Sequence, residues 1–157
     1  MSIIFTMSRV SAQTYERLVN GESAWESTAD SVSLGKSWAV LFRFLNAGED
    51  AANPKRLALA VSGGEHLDAY GDYGGPRLLA PWLVKDIVYD LDGGDAPDGY
   101  REPFDEEDIR RLYPLVDQTG AYGSVDSVET VVWAFRQVDV FYRAAAAAGD
   151  AVIIHWD

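Results

Sequence analysis

Residues 126–156, DSVETVVWAFRQVDVFYRAAAAAGDAVIIHW, decide the fold class. Val128, Val131, Val132, Phe135, Val138 and Tyr142 recur at helical spacing and make one apolar face. The spacing predicts a helix over 127–148. Asp126 and Glu129 have the capping-box spacing, with Asp in place of Ser or Thr, and Gly149 is a natural stop. At the helical rise such a segment spans about 33 Å. Trp133 and Val140 fall toward another side, so the helix is expected to be covered on more than one side. Val152 to Trp156 then reads as a strand. A long amphipathic helix feeding an apolar strand points to helices packed on a sheet.

Working back from there, strands and helices alternate. Ile3 to Met7 reads as a first strand. Ser11 has the character of an N-cap, with Val10 and Tyr15 at the staple positions. Asn20-Gly21 ends that helix. Ser33 is placed to cap a second helix with its apolar stripe at Trp38, Leu41, Phe42 and Leu45. Leu57 to Val61 reads as a buried strand between charge and Gly63-Gly64. Residues 62–79 are a glycine-rich connection, long enough to suggest function or mobility. Pro81 opens a third helix with Val84, Ile87, Val88 and Leu91 on its face, stopped by Gly93-Gly94. Asp105 to Asp108 open a short helix, with Arg110 and Arg111 near its end, the order that suits the helix dipole. The expected architecture is α/β: residues 1–157 as a single compact domain, a small mixed sheet layered with helices on its faces.

Composition bounds the function classes. The chain has 157 residues, 48% hydrophobic and 12% aromatic, which excludes intrinsic disorder. It has no cysteine, so disulfides, thiolate nucleophiles and Cys-ligated metal centres are excluded. The net charge is −12. Residues 86–108 carry ten acids against one base, Arg101, so most of that charge is local. Such a chain repels nucleic acid and anionic lipid. MSIIFTMSRV has neither a basic n-region nor a long apolar core. No uncharged apolar run approaches a membrane span. The expected location is cytoplasmic, away from membrane and nucleic acid.

The segments IIFTMSRVSAQTYERLV, SLGKSWAVLFRFL, ALAVSGGEHLDAYGDYGGPRLLAPWLVKDI and VDVFYRAAAAAGDAVIIHWD occur in that order along nearly the whole chain. In this ordered set the chain resembles the YfbM-like bacterial domain-of-unknown-function family. The resemblance implies one compact α/β domain with a helix–sheet–helix arrangement, and it implies no activity. Ala80-Pro81 departs from the family's Ser/Thr-Pro cap, and residues 114–125 match nothing in it.

Four groups of residues invite chemistry. Ala60-Val61-Ser62-Gly63-Gly64 loosely resembles a nucleophile elbow, with His66 or His155 as base. It lacks the first glycine and a helix directly after the serine. Asp90, Asp92, Asp95 and Asp98 offer closely spaced oxygens. Counting from Asp90, however, calcium-loop positions 6 and 12 hold Asp95 and Arg101 instead of Gly and Glu. A solvated acidic loop is the better reading. His66 and His155 are too far apart in sequence to form a metal pattern, and His155 on an alternating strand reads as a structural histidine. No metal and no cofactor is therefore expected. The fourth group is Lys36, Trp38, Glu65, Tyr73 and Arg77, where glycines permit close approach and an arginine can grip an anion.

Two function classes follow, beside a purely structural reading of the loop. One is a protein-binding module in which Asp90, Asp92, Asp95 and Asp98 steer a basic partner, as a small toxin-neutralising protein would. The other is a small-ligand or enzymatic site at Lys36, Trp38, Glu65, Tyr73 and Arg77 under the glycine-rich loop. In the structural reading Glu65 and Arg77 pair to pin that loop.

Overall fold

A computed structural model describes residues 4–23, 30–46, 52–67, 76–94, 103–120 and 124–156. Five strands form one sheet: β1 (Phe5–Val10), β2 (Ser31–Gly35), β3 (Glu65–His66), β4 (Arg77–Leu79) and β5 (Ala151–Trp156). Their order is β2-β1-β5-β4-β3. Every pairing between them is antiparallel, where the sequence led us to expect a mixed sheet. The central strand β5 is buried along five of its six residues.

Side chains alternate across this sheet and so build two cores. Phe5, Met7, Leu79, Val152 and Ile154 face the larger one. It is filled by α2 (Trp38–Leu45), α3 (Leu59–Ser62), α4 (Pro81–Leu91), α5 (Glu106–Leu112) and α6 (Val128–Ala148). Val10, Leu78, Ala151 and Ile153 face the smaller one, closed by Leu18 of α1 (Ala12–Val19). The result is a single α/β domain with helices on both faces.

Local chemistry explains most of the boundaries. Ser11 caps α1 by accepting from the Thr14 amide. Asp105 and Asp108 form a reciprocal capping box on α5. Gly149 ends α6 in the left-handed conformation at φ 71°. The N-cap of α6 is Ser127, whose hydroxyl accepts from the Thr130 amide, and not Asp126. Asp126 instead accepts the Tyr113 hydroxyl on its carbonyl oxygen.

Three further expectations are corrected. Ser33 lies within β2; its hydroxyl bonds the Phe5 carbonyl, and the helix starts only at Trp38. Leu57 to Val61 is not a strand. It is a 3₁₀ turn, Arg56–Ala58, running into α3. A short, wholly apolar run has no period, so burial alone could not distinguish strand from helix. The fully buried Tyr142 hydroxyl holds this turn by donating to the Ala60 carbonyl at 2.7 Å. Finally, the Trp133 and Val140 side of α6 is open to solvent, at 46% and 68% exposure.

Candidate functional site

The site is built from β4 outward. Arg77 lies opposite Ile154 and so shares its sheet face, and that of Trp156 two residues on. The Arg77 guanidinium carbon stands 5.4 Å from the Trp156 ring centroid, a cation–π distance. One terminal nitrogen, Nη1, donates to the Ser62 carbonyl at 2.9 Å. The stem of Arg77 lies against Gly63, and Gly64 lies against the next residue of β4. A Cβ on Gly63, at φ +79°, would lie 2.7 Å from the Arg77 Cβ. One on Gly64 would lie 2.5 Å from the Leu78 carbonyl oxygen. The paired glycines therefore serve the close approach of this link to β4.

Trp156 is one of three aromatic rings in mutual contact. Its ring meets Trp38 edge-on at 5.5 Å and Phe5 edge-on at 5.7 Å. Phe5 and Trp38 lie nearly parallel at 6.0 Å. Register explains the meeting: Phe5 pairs with both Trp156 and Gly35, and Trp38 opens the helix just after Gly35. Lys36 is exposed on the turn at this same end of the sheet. Trp38, Trp156 and Arg77 are each only partly buried, so the cluster reaches the surface.

Three polar atoms of this cluster are shielded from water and make no hydrogen bond: Arg77 Nε, Trp156 Nε1 and Ser62 Oγ. All belong to Arg77 or to residues that touch it. Buried polar groups are nearly always paired, and each orphan costs on the order of 1–3 kcal/mol. Three of the five such atoms among the described residues lie in this one neighbourhood.

The other predicted residues are distributed as follows. Glu65 lies opposite Leu78, so it projects from the face that carries α1, away from Arg77. It is exposed, and its negative charge adds to burial in pushing the Tyr15 phenol upward. A Glu65–Arg77 pair across the sheet is thereby ruled out. Tyr73 lies outside the described residues. Ser62 is the last residue of α3 and not the apex of a strand–helix elbow. His66 is the second residue of β3. His155 faces away from Ile154 and Trp156 and is 8% exposed. The participant that the sequence reading placed outside this group, as an aromatic expected in the core or on a recognition surface, is Trp156. Its alternation with His155 was legible, but its position beside Arg77 depends on the β4–β5 pairing.

The acidic stretch takes a different form in space. Asp90 is gripped by Arg56 through two bonds of 2.7 and 2.6 Å, and Asp86 lies 3.5 Å from the same guanidinium. Asp90 is the main reason the Arg56 guanidinium is held above its ordinary value. Asp92 pairs with Arg143, Glu106 with Arg136 and Asp108 with Arg111. Asp95 and Asp98 lie outside the described residues. A cleft of about 320 Å³ beside Asp90 is walled by the Arg56 pair itself. A second, of about 290 Å³, is walled by Arg9, which is already bound to Asp150. Among the described residues no group of His, Asp or Glu is arranged to hold a metal ion. Among them also, no helix is long and apolar enough to cross a membrane.

Comparison with known proteins gives the same architecture. No curated protein matches the chain. One similar solved structure is described as the crystal structure of a protein of unknown function, YfbM, from Escherichia coli. It covers 98% of this chain and 99% of its own at 17% identity and a TM-score of 0.58, a likeness of fold. The model of the family "Domain of unknown function (DUF1877)" matches residues 1–155. This chain therefore belongs to the DUF1877 family, a YfbM-like domain of unknown function.

Proposed function

We propose that this chain is a small-ligand-binding domain whose site is the Arg77 end of the sheet, walled by Trp38 and Trp156. The observation that carries the reading is the trio of buried, unpartnered polar atoms on Ser62, Arg77 and Trp156. Two of them, the guanidinium Nε and the indole Nε1, are donors only, and the hydroxyl can donate. A ligand with acceptor oxygens and a flat apolar body would satisfy the donors and lie against the rings.

The protein-binding alternative draws its motive from the charge of residues 86–108. That motive is weaker in space than in sequence. Five of the seven described acids in the stretch are in ion pairs with arginines from outside it. Four arginines offset part of the field of these five acids, and steering draws on the uncompensated part alone.

The test is a fluorescence and thermal-shift titration with small carboxylates, phosphates, amides and neutral aromatics. At least one class is expected to alter tryptophan emission and raise the melting temperature. Free ligand at 100 times its Kd would add about 2.7 kcal/mol. The response should vanish in Trp156→Phe, which keeps an aromatic ring and removes the N–H. A panel that leaves the wild type unmoved, or moves Trp156→Phe equally, would refute the reading.

A further inference from the structure

The way Arg77 is held specifies the class of ligand, given that this end of the sheet is a binding site. Nine arginines lie among the described residues, and seven of them are in ion pairs with carboxylates. Arg17 is exposed in the last turn of α1, where the helix dipole and water accommodate it. Arg77 is the remaining one. It is partly buried, in a chain of net charge −12, and no carboxylate faces it among the described residues. A desolvated cation without a counter-charge is costly.

The geometry of the leftover edge is informative. Arg9, Arg56 and Arg136 all hold their carboxylates through Nε and Nη2 together, at 2.6–3.1 Å. Arg77 spends Nη1 on the Ser62 carbonyl, and its Nε has no partner. The Nε side of the guanidinium is thus left over, the side this chain uses three times elsewhere to bind a carboxylate. That edge matches the two coplanar oxygens of a carboxylate, and the fork gives direction as well as charge. Trp156 lies under the guanidinium and Trp38 stands against Trp156, so the flat apolar remainder of a ligand has a wall beside its charged end.

We infer that the site takes a small carboxylate with a planar apolar body, its two oxygens on Nε and Nη2 of Arg77. This rests on the binding-site reading above and goes beyond it in naming the group recognised. The probe pair is benzoate and benzamide, which share shape and differ in charge. Tryptophan emission is followed in the intact chain. Benzoate is expected to bind at least tenfold more tightly than benzamide. Arg77→Lys keeps the charge and loses the fork, and should weaken benzoate at least tenfold while the urea midpoint reports that the chain is folded. If that variant fails to fold, the Nε–H resonance of Arg77 in the ¹⁵N spectrum of the wild type decides. It should move with benzoate and stay in place with benzamide.

Equal binding of benzoate and benzamide, or an unmoved Nε–H resonance, would overturn the carboxylate assignment and leave the binding site standing. Inorganic phosphate matching benzoate would overturn it in favour of oxyanions at large. Failure of benzoate, benzamide and phosphate alike would overturn the assignment, and the panel titration would then decide the site itself.

Discussion

Removing Arg56 should cost more than removing the carboxylate it holds. The two ends of this pair are unequally placed: Asp90 is 9% exposed and the Arg56 side chain 42%. In Arg56→Ala the carboxylate stays behind, nearly dry, with both of its short bonds gone. Stranding one member of a fully buried pair costs about 3–5 kcal/mol. Here the cut opens a solvent path where the guanidinium was, so roughly half of that is expected, about 2 kcal/mol. In Asp90→Ala the guanidinium is left half in water and within 3.5 Å of Asp86. About 1 kcal/mol is then expected, and about 0.5 kcal/mol or less for Asp86→Ala. The predicted order is Arg56→Ala, then Asp90→Ala, then Asp86→Ala.

Urea unfolding followed by tryptophan fluorescence measures all three. The midpoint should shift while the slope stays constant, the sign that stability and not compactness has changed. For a chain of this size, 2 kcal/mol corresponds to a drop of about 4–8 °C in Tm. An Asp90→Ala cost equal to or above that of Arg56→Ala would refute the reasoning, because the asymmetry follows from burial alone. An Asp90→Ala variant as stable as the wild type would point the other way, toward an Asp90 kept for a partner.

Tyr142→Phe should lower stability by about 1–2 kcal/mol in the same assay, since it leaves the Ala60 carbonyl without its buried donor. Gly64→Ala should cost about 2 kcal/mol or more, because its Cβ meets a backbone oxygen that cannot swing aside. Ser127→Ala should cost about 1 kcal/mol through the lost cap of α6. Asp126→Asn should instead stabilise at neutral pH. Burial holds the Asp126 carboxyl above its ordinary value, against a smaller opposing effect of Ser37. A raised carboxyl contributes stability below its unfolded-state value and loses it as pH rises through the folded one. The gain from Asp126→Asn should accordingly shrink as pH falls below the carboxylate range, read as Tm against pH.

How much of this was legible in the sequence depended on whether period or partner decided the element. α6 and β5 follow from spacing, and so do the Ser11 cap and the Gly149 stop, because each is set by residues within one or two turns. Ser33 misled because serine suits a cap and a strand edge equally. Leu57 to Val61 misled because a run without polar residues carries no period, and its helical form is held by Tyr142, distant in sequence. Of the candidate site, Trp38 and Arg77 do come together, through Trp156. Glu65 could not have been excluded from sequence: its separation from Arg77 depends on the register that sets Glu65 against Leu78.

Charge was the least legible property, for a physical reason. A run of acids along a chain creates a field only if nothing opposite is folded against it. Residues 86–108 look like an acidic face in sequence, yet Arg56, Arg136 and Arg143 reach them from other segments, and Arg111 from the next turn of α5. Two of these arginines, Arg111 and Arg136, are more than half exposed, so their contribution is to offset field and not to bind tightly. The converse holds at Arg77. A partly buried cation, inconspicuous in a sequence of net charge −12, is left without a carboxylate among the described residues, beside an indole, a carbonyl and a glycine. Function at a charged site is therefore better sought where folding leaves a charge unanswered than where the sequence concentrates it. For this chain, among the described residues, that criterion is the ground for the proposal at Arg77.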